Sequence, residues 1–398
     1  MNKYFLLLFL AALSSCTTSD KKASQEVAIN FIETPTKTSS GEPYLFTDTN
    51  GNTFLSWIEV SDGKNFLKFS KLENENWSEP RMISSGEDWF VNWADYPLIA
   101  ANGKQLIAHY LGKSGKGTFA YDVMITTSQD EGNTWSEPKP VHDDAKEAEH
   151  GFVSLLPYGN NFLVVWLDGR NTVMEGVENH EGHHGQMSLR AAIVDKNGVK
   201  SNEWELDNRT CDCCQTIATL TDNGPVVIYR DRSDEEIRDM SIVRFVDGQW
   251  TQPKTVYADN WKIAGCPVNG PRADALGNTL AIAWFSSPEG NASVRVIFSA
   301  DGGATFGEPV KIDEGKAIGR VDVVMLDNDS AMVSWMEGSQ IKAVKVNRDG
   351  SKGSSITIAS SSDARSSGFP QMTKSGNKLI FAWTDDKEKI IKTARVLW

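Results

Sequence analysis

Apolar and polar positions alternate along this chain in short segments, and one arrangement of them recurs seven times. Each copy has an apolar strand, a turn rich in Asn, Asp or Gly, and an alternating strand that ends in an aromatic residue, as in YLFTDTNGNTFLSWIE and IATLTDNGPVVIYRD. The copies follow one another about every fifty residues, a period typical of repeat architectures. The closing aromatic residues are Trp57, Tyr110, Trp166, Tyr229, Trp284, Trp335 and Trp383. This regularity predicts seven structural units of one kind.

A second pair of alternating segments follows each copy, as in DVMITTSQDEGNTWSEPKPV and VRVIFSADGGATFGEPVKI. Four antiparallel strands joined by tight turns form a propeller blade. After the last copy only a third strand, KIIKTARVLW, remains, whereas EVAINFIE near the start has no partner of its own. We therefore predict an all-β, seven-bladed β-propeller whose N-terminal strand completes the last blade and closes the ring.

Two of the later turns carry a recognisable motif. SQDEGNTW at residues 128–135 and SADGGATF at residues 299–306 match the Asp-box, S-x-D-x-G-x-T-W, so the chain resembles bacterial sialidases and related propellers. CDCCQT and NWKIAGCPVNGP are similar to segments of sialidase-like propellers of the bacterial envelope. The resemblance implies a six-bladed sialidase-type propeller as the alternative to seven blades. Asp-boxes lie away from the sialidase active site, so they indicate the fold and not an activity.

The N-terminus reads MNKYFLLLFLAALSSC, a lysine followed by an apolar run too short to span a bilayer. LSSC resembles the lipobox of bacterial lipoproteins, whose cysteine is lipidated after cleavage. We predict a signal peptide at residues 1–15, lipidation of Cys16, a tether at 16–25 and one propeller domain at 26–398. The protein is then expected to be extracytoplasmic and anchored by lipid to the bacterial cell envelope, at the outer membrane.

The charge of the chain restricts its partners. The formal net charge is -13 at pH 7, and no basic run offsets it. An acidic surface repels nucleic acid and anionic lipid, so we expect no nucleic-acid partner and membrane attachment through the lipid alone. The expected ligand is a small molecule or a glycan, and the expected state is a monomer.

Four cysteines remain after lipidation, and all of them map to one face of the predicted propeller. Cys211, Cys213 and Cys214 precede the fourth inner strand, and Cys266 precedes the fifth. Connections into inner strands share a face in this fold. In an oxidising compartment the four residues could form two disulfides, bind a metal or include a redox-active pair, and the spacing does not decide among these.

The longest turn of blade three, residues 167–187, lies in the same sector and contains His180, His183, His184 and Met187. Thiolate and imidazole together suit zinc or Cu(I). The predicted metal ligands are Cys211, Cys213, Cys214, Cys266, His180, His183 and His184. If the cysteines form disulfides instead, HEGHHG is a solvated loop and no cofactor is expected.

Four arginines, Arg170, Arg230, Arg232 and Arg272, fall on this face as well and are candidates for anion or substrate binding, because guanidinium groups grip carboxylate, sulfate or phosphate. Each could equally pair with a neighbouring acid. The arginine-containing motif that begins the sialidase triad is missing, since the corresponding segment reads GEPYLF. Asp95 and Tyr229 are therefore weak candidates for catalytic residues, and no nucleophile is evident.

Three functions are compatible with these features. The first is a cell-envelope lipoprotein whose propeller binds a ligand on this face, through a Cys/His metal site or an anionic pocket. The second is a divergent sialidase-type glycoside hydrolase. The third is a structural or protein-docking propeller with disulfide-bonded cysteines.

Overall fold

The computed structural model describes residues 28–37, 39–172 and 185–398. Within these ranges the strands form seven antiparallel sheets. The innermost strand of each sheet contacts that of the next, and the seventh contacts the first, so the sheets are blades around a central axis. The seven-bladed prediction is confirmed, and the six-bladed alternative is wrong for this chain.

The blades follow the chain in order. The chain begins with β1 (Ile29–Ile32). Blade 1 consists of β2 (Ser40–Thr47), β3 (Thr53–Ser61), β4 (Lys64–Glu73), β5 (Asn76–Trp77) and β6 (Arg81–Gly86). Blade 2 consists of β7 (Ile99–Asn102), β8 (Gln105–Lys113), β9 (Tyr121–Ser128) and β10 (Lys139–Pro140). Blade 3 consists of β11 (His150–Tyr158), β12 (Asn161–Asp168), β13 (Ser188–Val194) and β14 (Lys200–Asp207).

The remaining blades repeat this plan. Blade 4 consists of β15 (Ile217–Thr221), β16 (Gly224–Arg230), β17 (Met240–Val246), β18 (Gln249–Trp250) and β19 (Lys254–Tyr257). Blade 5 consists of β20 (Arg272–Leu276), β21 (Thr279–Ser286), β22 (Ser293–Ser299) and β23 (Val310–Lys311). Blade 6 consists of β24 (Ala317–Asp327), β25 (Ser330–Glu337), β26 (Gln340–Asn347) and β27 (Ile356–Ser360). Blade 7 contains β28 (Gln371–Ser375), β29 (Lys378–Asp385) and β30 (Ile390–Leu397), and short 3-10 turns lie at Pro288–Gly290 and Arg365–Ser367.

The N-terminal strand closes the ring. β1 pairs antiparallel with β30, with Ile29 opposite Val396 and Ile32 opposite Thr393, so β1 is the outermost strand of blade 7. The first and last strands of the described chain therefore hold each other in one sheet, and closure confirms the prediction made from the unpartnered EVAINFIE segment.

The closing aromatic residues form the core between blades. Trp57, Trp166, Trp284, Trp335 and Trp383 are all at most 2% exposed. Burying a side chain of this size contributes roughly 2–3 kcal/mol each. Because each aromatic residue lies in the second strand of its blade, the seven repeats supply one large aromatic side chain per blade, which explains their spacing.

Strand direction divides the loops between two faces. We call the face with the connections between blades, and with the turn between the second and third strands of each blade, the top face. The two Asp-boxes lie in turns between third and fourth strands, which is the bottom face. In the first box Asp130 accepts hydrogen bonds from the Thr134 N–H (2.9 Å) and hydroxyl (2.7 Å), and these lower the pKa of Asp130 to about 2. Among the residues that the structure describes, no helix is long and apolar enough to cross a bilayer.

Candidate functional site

All four cysteines of the described chain lie on the top face, as predicted. Cys211, Cys213 and Cys214 lie in the loop that enters blade 4, and Cys266 lies in the loop that enters blade 5. Cys213 and Cys266 form a disulfide with 5.9 Å between their Cα atoms. The bond fastens the loops of two neighbouring blades to each other, which is the pairing of Cys266 with one member of the cluster that was left open above.

The other two cysteines are not bonded. Cys211 and Cys214 are free thiols, both buried, and their Sγ atoms lie 3.6 Å apart. The Sγ atoms of Cys211, Cys213 and Cys214 all lie within 4.8 Å of one another. The cluster thus divides into a disulfide and an adjacent dithiol, and the second of the two predicted disulfides is absent from the structure.

Two buried arginines give the dithiol its electrostatic character. The Arg238 guanidinium donates to the Cys211 Sγ at 3.2 Å, and Arg230 is buried nearby. Burial acts to raise the pKa of Cys211, but the Cys214 hydrogen bond and the charges of Arg238 and Arg230 outweigh it and lower the pKa to about 6. Burial and the neighbouring Cys211 sulfur raise the pKa of Cys214. At neutral pH the pair is therefore one thiolate that accepts a hydrogen bond from one thiol.

The described end of the long blade 3 turn, at residues 185–187, lies near this pair. His180, His183 and His184 lie outside the described residues, so their predicted ligand role is untested. The described chain resumes at Gly185, and the Thr210 N–H donates to the Met187 carbonyl at 2.9 Å, which places the end of the turn next to Cys211. Met187 itself is buried.

The four candidate arginines all have partners within the protein. Arg170 forms a bidentate ion pair with Asp168 at 2.7 and 2.8 Å. Arg232 pairs with Glu236 at 2.7 Å and with Asp212 at 3.1 Å.

The other two arginines bond to neutral groups. Arg230 donates to the carbonyls of Asn269, Phe285 and Arg238 at 2.7 Å. Arg272 is buried near the axis and donates to Tyr96 and Gln371. Anion binding by the four arginines stays a prediction, and these contacts do not favour it.

The two catalytic candidates lie in different surroundings. Tyr229 donates to Asp207 at 2.5 Å, and burial raises its pKa. Asp95 is buried, accepts the Phe152 N–H at 2.8 Å through one oxygen and leaves the other oxygen without a partner. Burial raises the pKa of Asp95 well above its usual range, which favours a neutral carboxyl group.

Sequence reasoning missed a tyrosine–glutamate pair beside Asp95. Tyr121 donates to Glu149 at 2.8 Å, and both side chains are buried. Burial raises the pKa of Glu149 to about 7. Tyr121 begins the third strand of blade 2, and Glu149 directly precedes the innermost strand of blade 3. Both positions lie on the top face, so strand assignment from the sequence could have placed the two residues on the same face.

The comparisons with known proteins agree with this architecture. The sequence model of the BNR repeat-like domain matches residues 62–241. The solved structure of the polysaccharide lyase Uly1 is similar with a TM-score of 0.54 and 9% identity, over 90% of this chain and 89% of that chain. At this identity the likeness shows the fold alone. Residues 62–241 thus resemble a BNR repeat-like domain, and the described chain has the fold of a β-propeller.

Two sialidase structures are similar at lower scores. The NanB sialidase from Streptococcus pneumoniae has 14% identity and a TM-score of 0.46, over 98% of this chain and 73% of that chain. The Hadza microbial sialidase Hz136 has 14% identity and a TM-score of 0.43 over 75% of this chain. The present chain spans 63% of Hz136, less than two thirds of its length. A search of curated proteins gave no significant match.

Proposed function

We propose that this protein is a cell-envelope lipoprotein whose propeller binds a soft metal ion on its top face through Cys211 and Cys214. The buried dithiol supports this most directly, with 3.6 Å between the Sγ atoms of Cys211 and Cys214. The neighbouring disulfide joins Cys213 to Cys266, so both sulfurs of the dithiol are free to bind an ion. Two thiolates on one tetrahedral metal, at a metal–sulfur distance of about 2.3 Å, lie about 3.8 Å apart. The dithiol therefore has the spacing that two ligands of one ion need.

The charges around the sulfurs favour a monovalent ion. Two thiolates bound to Cu(I) carry one net negative charge, and Arg238 lies 3.2 Å from one of these sulfurs and can balance it. Structural zinc sites almost always have four protein ligands. Only two unbonded sulfurs are present in the described part of the site, and Cu(I) accepts two or three soft ligands, with the sulfurs moving farther apart than 3.6 Å in the two-coordinate case. We therefore propose Cu(I) first, and zinc if residues 173–184 contribute histidines.

The test is a metal titration of tag-free protein prepared without oxygen. In competition with a chromogenic chelator, the wild-type protein is expected to bind one Cu(I) per chain. Cys211→Ser and Cys214→Ser are each expected to lower the Cu(I) affinity at least about tenfold. The matched control is Cys213→Ser with Cys266→Ser, which removes the disulfide and leaves the dithiol. Retention of copper by Cys211→Ser, or a Cys211–Cys214 disulfide in protein alkylated directly from cells, would overturn the proposal.

The lipoprotein part of the proposal rests on the LSSC segment, which precedes the described residues. Mass spectrometry of the natural N-terminal peptide is expected to find a diacylglyceryl group on Cys16. Cys16→Ala is expected to move the protein from the membrane fraction to the soluble extracytoplasmic fraction. An unmodified N-terminus that starts after a different cleavage site would contradict this assignment.

A sialidase-type glycoside hydrolase is the second candidate, and the Tyr121–Glu149 pair next to Asp95 favours it. A tyrosine activated by a glutamate, with a neutral carboxyl group nearby, is the type of arrangement that such enzymes use, and a glycan would be its ligand. The three side chains are at most 7% exposed, so substrate would need the top loops to open. Release of product from a fluorogenic sialoside, abolished by Tyr121→Phe, would support the hydrolase, and no turnover by the wild-type protein would exclude it.

A structural or protein-docking propeller is the third hypothesis. It requires all four cysteines in disulfides, and the described structure has only the Cys213–Cys266 bond. The titration above also tests this reading, because a second disulfide would favour it over the metal site.

A further inference from the structure

A second cluster of ligand-type side chains lies on the top face, between blades 2 and 3, and does not involve the cysteines. Asp122 comes from β9, His142 from the loop that follows β10, and His150 begins β11. One ligand atom from each of these three residues lies within 4.8 Å of the other two. His142 and His150 are at most 5% exposed.

Polar atoms of His142 and Asp122 lack hydrogen bonds, whereas both ring nitrogens of His150 have partners. Neither ring nitrogen of His142 has a hydrogen-bond partner, although the side chain is buried, and the buried Oδ1 of Asp122 has none either. The His142 Nε2 lies 3.4 Å from this Oδ1, and the His150 Nδ1 lies 3.9 Å from it. A buried polar atom without a partner costs roughly 1–3 kcal/mol, so the His142 Nε2 and the Asp122 Oδ1, which lie next to each other, indicate a missing partner.

Asp144 supports the other side of both rings. Its Oδ2 lies 3.0 Å from the His150 Nε2, and its Oδ1 lies 3.5 Å from the His142 Nδ1. In metal sites the ring nitrogen that does not bind the ion donates to a carboxylate, and this second contact orients the ligand. Asp144 therefore leaves the His142 Nε2 and the His150 Nδ1 as the nitrogens on the side of Asp122. The His150 Nδ1 also lies 3.3 Å from the Tyr121 carbonyl, and an ion would have to replace this contact.

The local charge also favours a cation. Asp122, Asp144 and Asp168 surround the two imidazoles, and Arg170 is the cation that pairs with Asp144 and Asp168, at 3.2 and 2.7 Å. With neutral histidines, these six groups carry a net charge of two negative units. The Asp122 side chain is 24% exposed, so an ion can enter from solvent and water can complete its coordination.

We propose that Asp122, His142 and His150 bind a divalent transition-metal ion of the zinc type, with Asp144 as the residue that positions both histidines. Two atoms bound at about 2.1 Å in tetrahedral geometry lie about 3.4 Å apart, close to the His142–Asp122 distance. The two rings are stacked nearly parallel, with 3.6 Å between their centroids, so both rings must tilt about χ2 before their in-plane lone pairs can meet at one ion. This torsion has a broad energy well in histidine. One ligand position stays open to water.

The experiment uses the Cys211→Ser, Cys214→Ser double variant, in which the proposed soft-metal site is removed. Zn²⁺ is titrated by calorimetry, and bound zinc is counted by mass spectrometry after desalting. One Zn²⁺ per chain is expected, and His142→Gln and Asp122→Asn are each expected to weaken binding at least about tenfold. Asp144→Asn is expected to weaken binding less, because it acts through the histidines. The matched control is Asp143→Asn, an exposed neighbour that pairs with Lys200.

A second measurement covers variants that fail to fold. Co²⁺ added to the double variant is expected to give the visible absorption of a low-symmetry nitrogen and oxygen site and to shift the NMR signals of His142 and His150. Absence of Zn²⁺ binding, or binding that survives both His142→Gln and Asp122→Asn, would overturn the proposal, as would Co²⁺ that leaves both histidine signals unchanged. Because the double variant lacks the dithiol, these outcomes are independent of the copper proposal.

Discussion

The bottom and top faces of this propeller are built from contacts of different range. On the bottom face, Ser128, Asp130 and Thr134 complete their hydrogen bonds within seven residues, and Ser299, Asp301 and Thr305 repeat the pattern. On the top face, Cys211 receives its hydrogen bond from Arg238 of the next turn, and Cys213 is bonded to a residue 53 positions away. Local contacts build the repeat, whereas the candidate sites arise where loops of different blades meet.

The disulfide gives the largest expected difference between the two faces. Joining residues 53 positions apart restricts the unfolded chain, and the chain-entropy relation gives about 4 kcal/mol for a loop of this length. Cys213→Ser with Cys266→Ser is expected to lower the free energy of unfolding by up to about this amount. Urea unfolding of the oxidised protein is the measurement. If reduction lowers the free energy of unfolding of the wild-type protein no more than that of the double variant, the bond does not stabilise the fold.

A smaller effect is expected from the bottom face. Asp130→Ala removes two hydrogen bonds from Thr134, and Asp301→Ala removes the corresponding bonds from Thr305. Each substitution is expected to lower the free energy of unfolding by less than loss of the disulfide does, because the threonine donors lose a charged acceptor but can be hydrated at the surface. The two losses should be similar and additive, since the turns lie in different blades. If Asp130→Ala and Asp301→Ala lowered the free energy of unfolding by very different amounts, the two Asp-boxes would not act independently and alike.

The same difference in range explains what could be predicted from the sequence. The blade count, the closure by β1 and the top-face location of the cysteines follow from periodicity and strand alternation, which are local properties. Which cysteines pair depends on how neighbouring blades meet, and the contact of Arg238 with Cys211 depends on how two top-face loops of blade 4 pack; no spacing in the sequence encodes either. His142 and His150 carried no motif, and they became recognisable only when β9, β11 and the loop between β10 and β11 placed Asp122 and Asp144 around them.

The smallest expected effect is a shift in the titration of the dithiol, and it tests the non-local contact itself. Arg238→Gln removes a charge and a hydrogen bond from the Cys211 sulfur, so the pKa of Cys211 should rise from about 6 by at least about one unit, equivalent to about 1.4 kcal/mol. The thiolate absorbance in the ultraviolet, followed against pH, measures this shift. Because the folded pKa is lowered from 9.0, the thiolate stabilises the wild-type fold most above pH 9, and this contribution is lost as the pH falls through 6. In the Arg238→Gln variant, the free energy of unfolding should change less between pH 6 and pH 9 than it does in the wild-type protein.

Arg232→Gln is the matched control, because Arg232 bonds to the same Glu236 without contacting Cys211. An equal shift in both variants would mean that the charge of the whole loop, and not the Arg238 contact, sets the state of the dithiol.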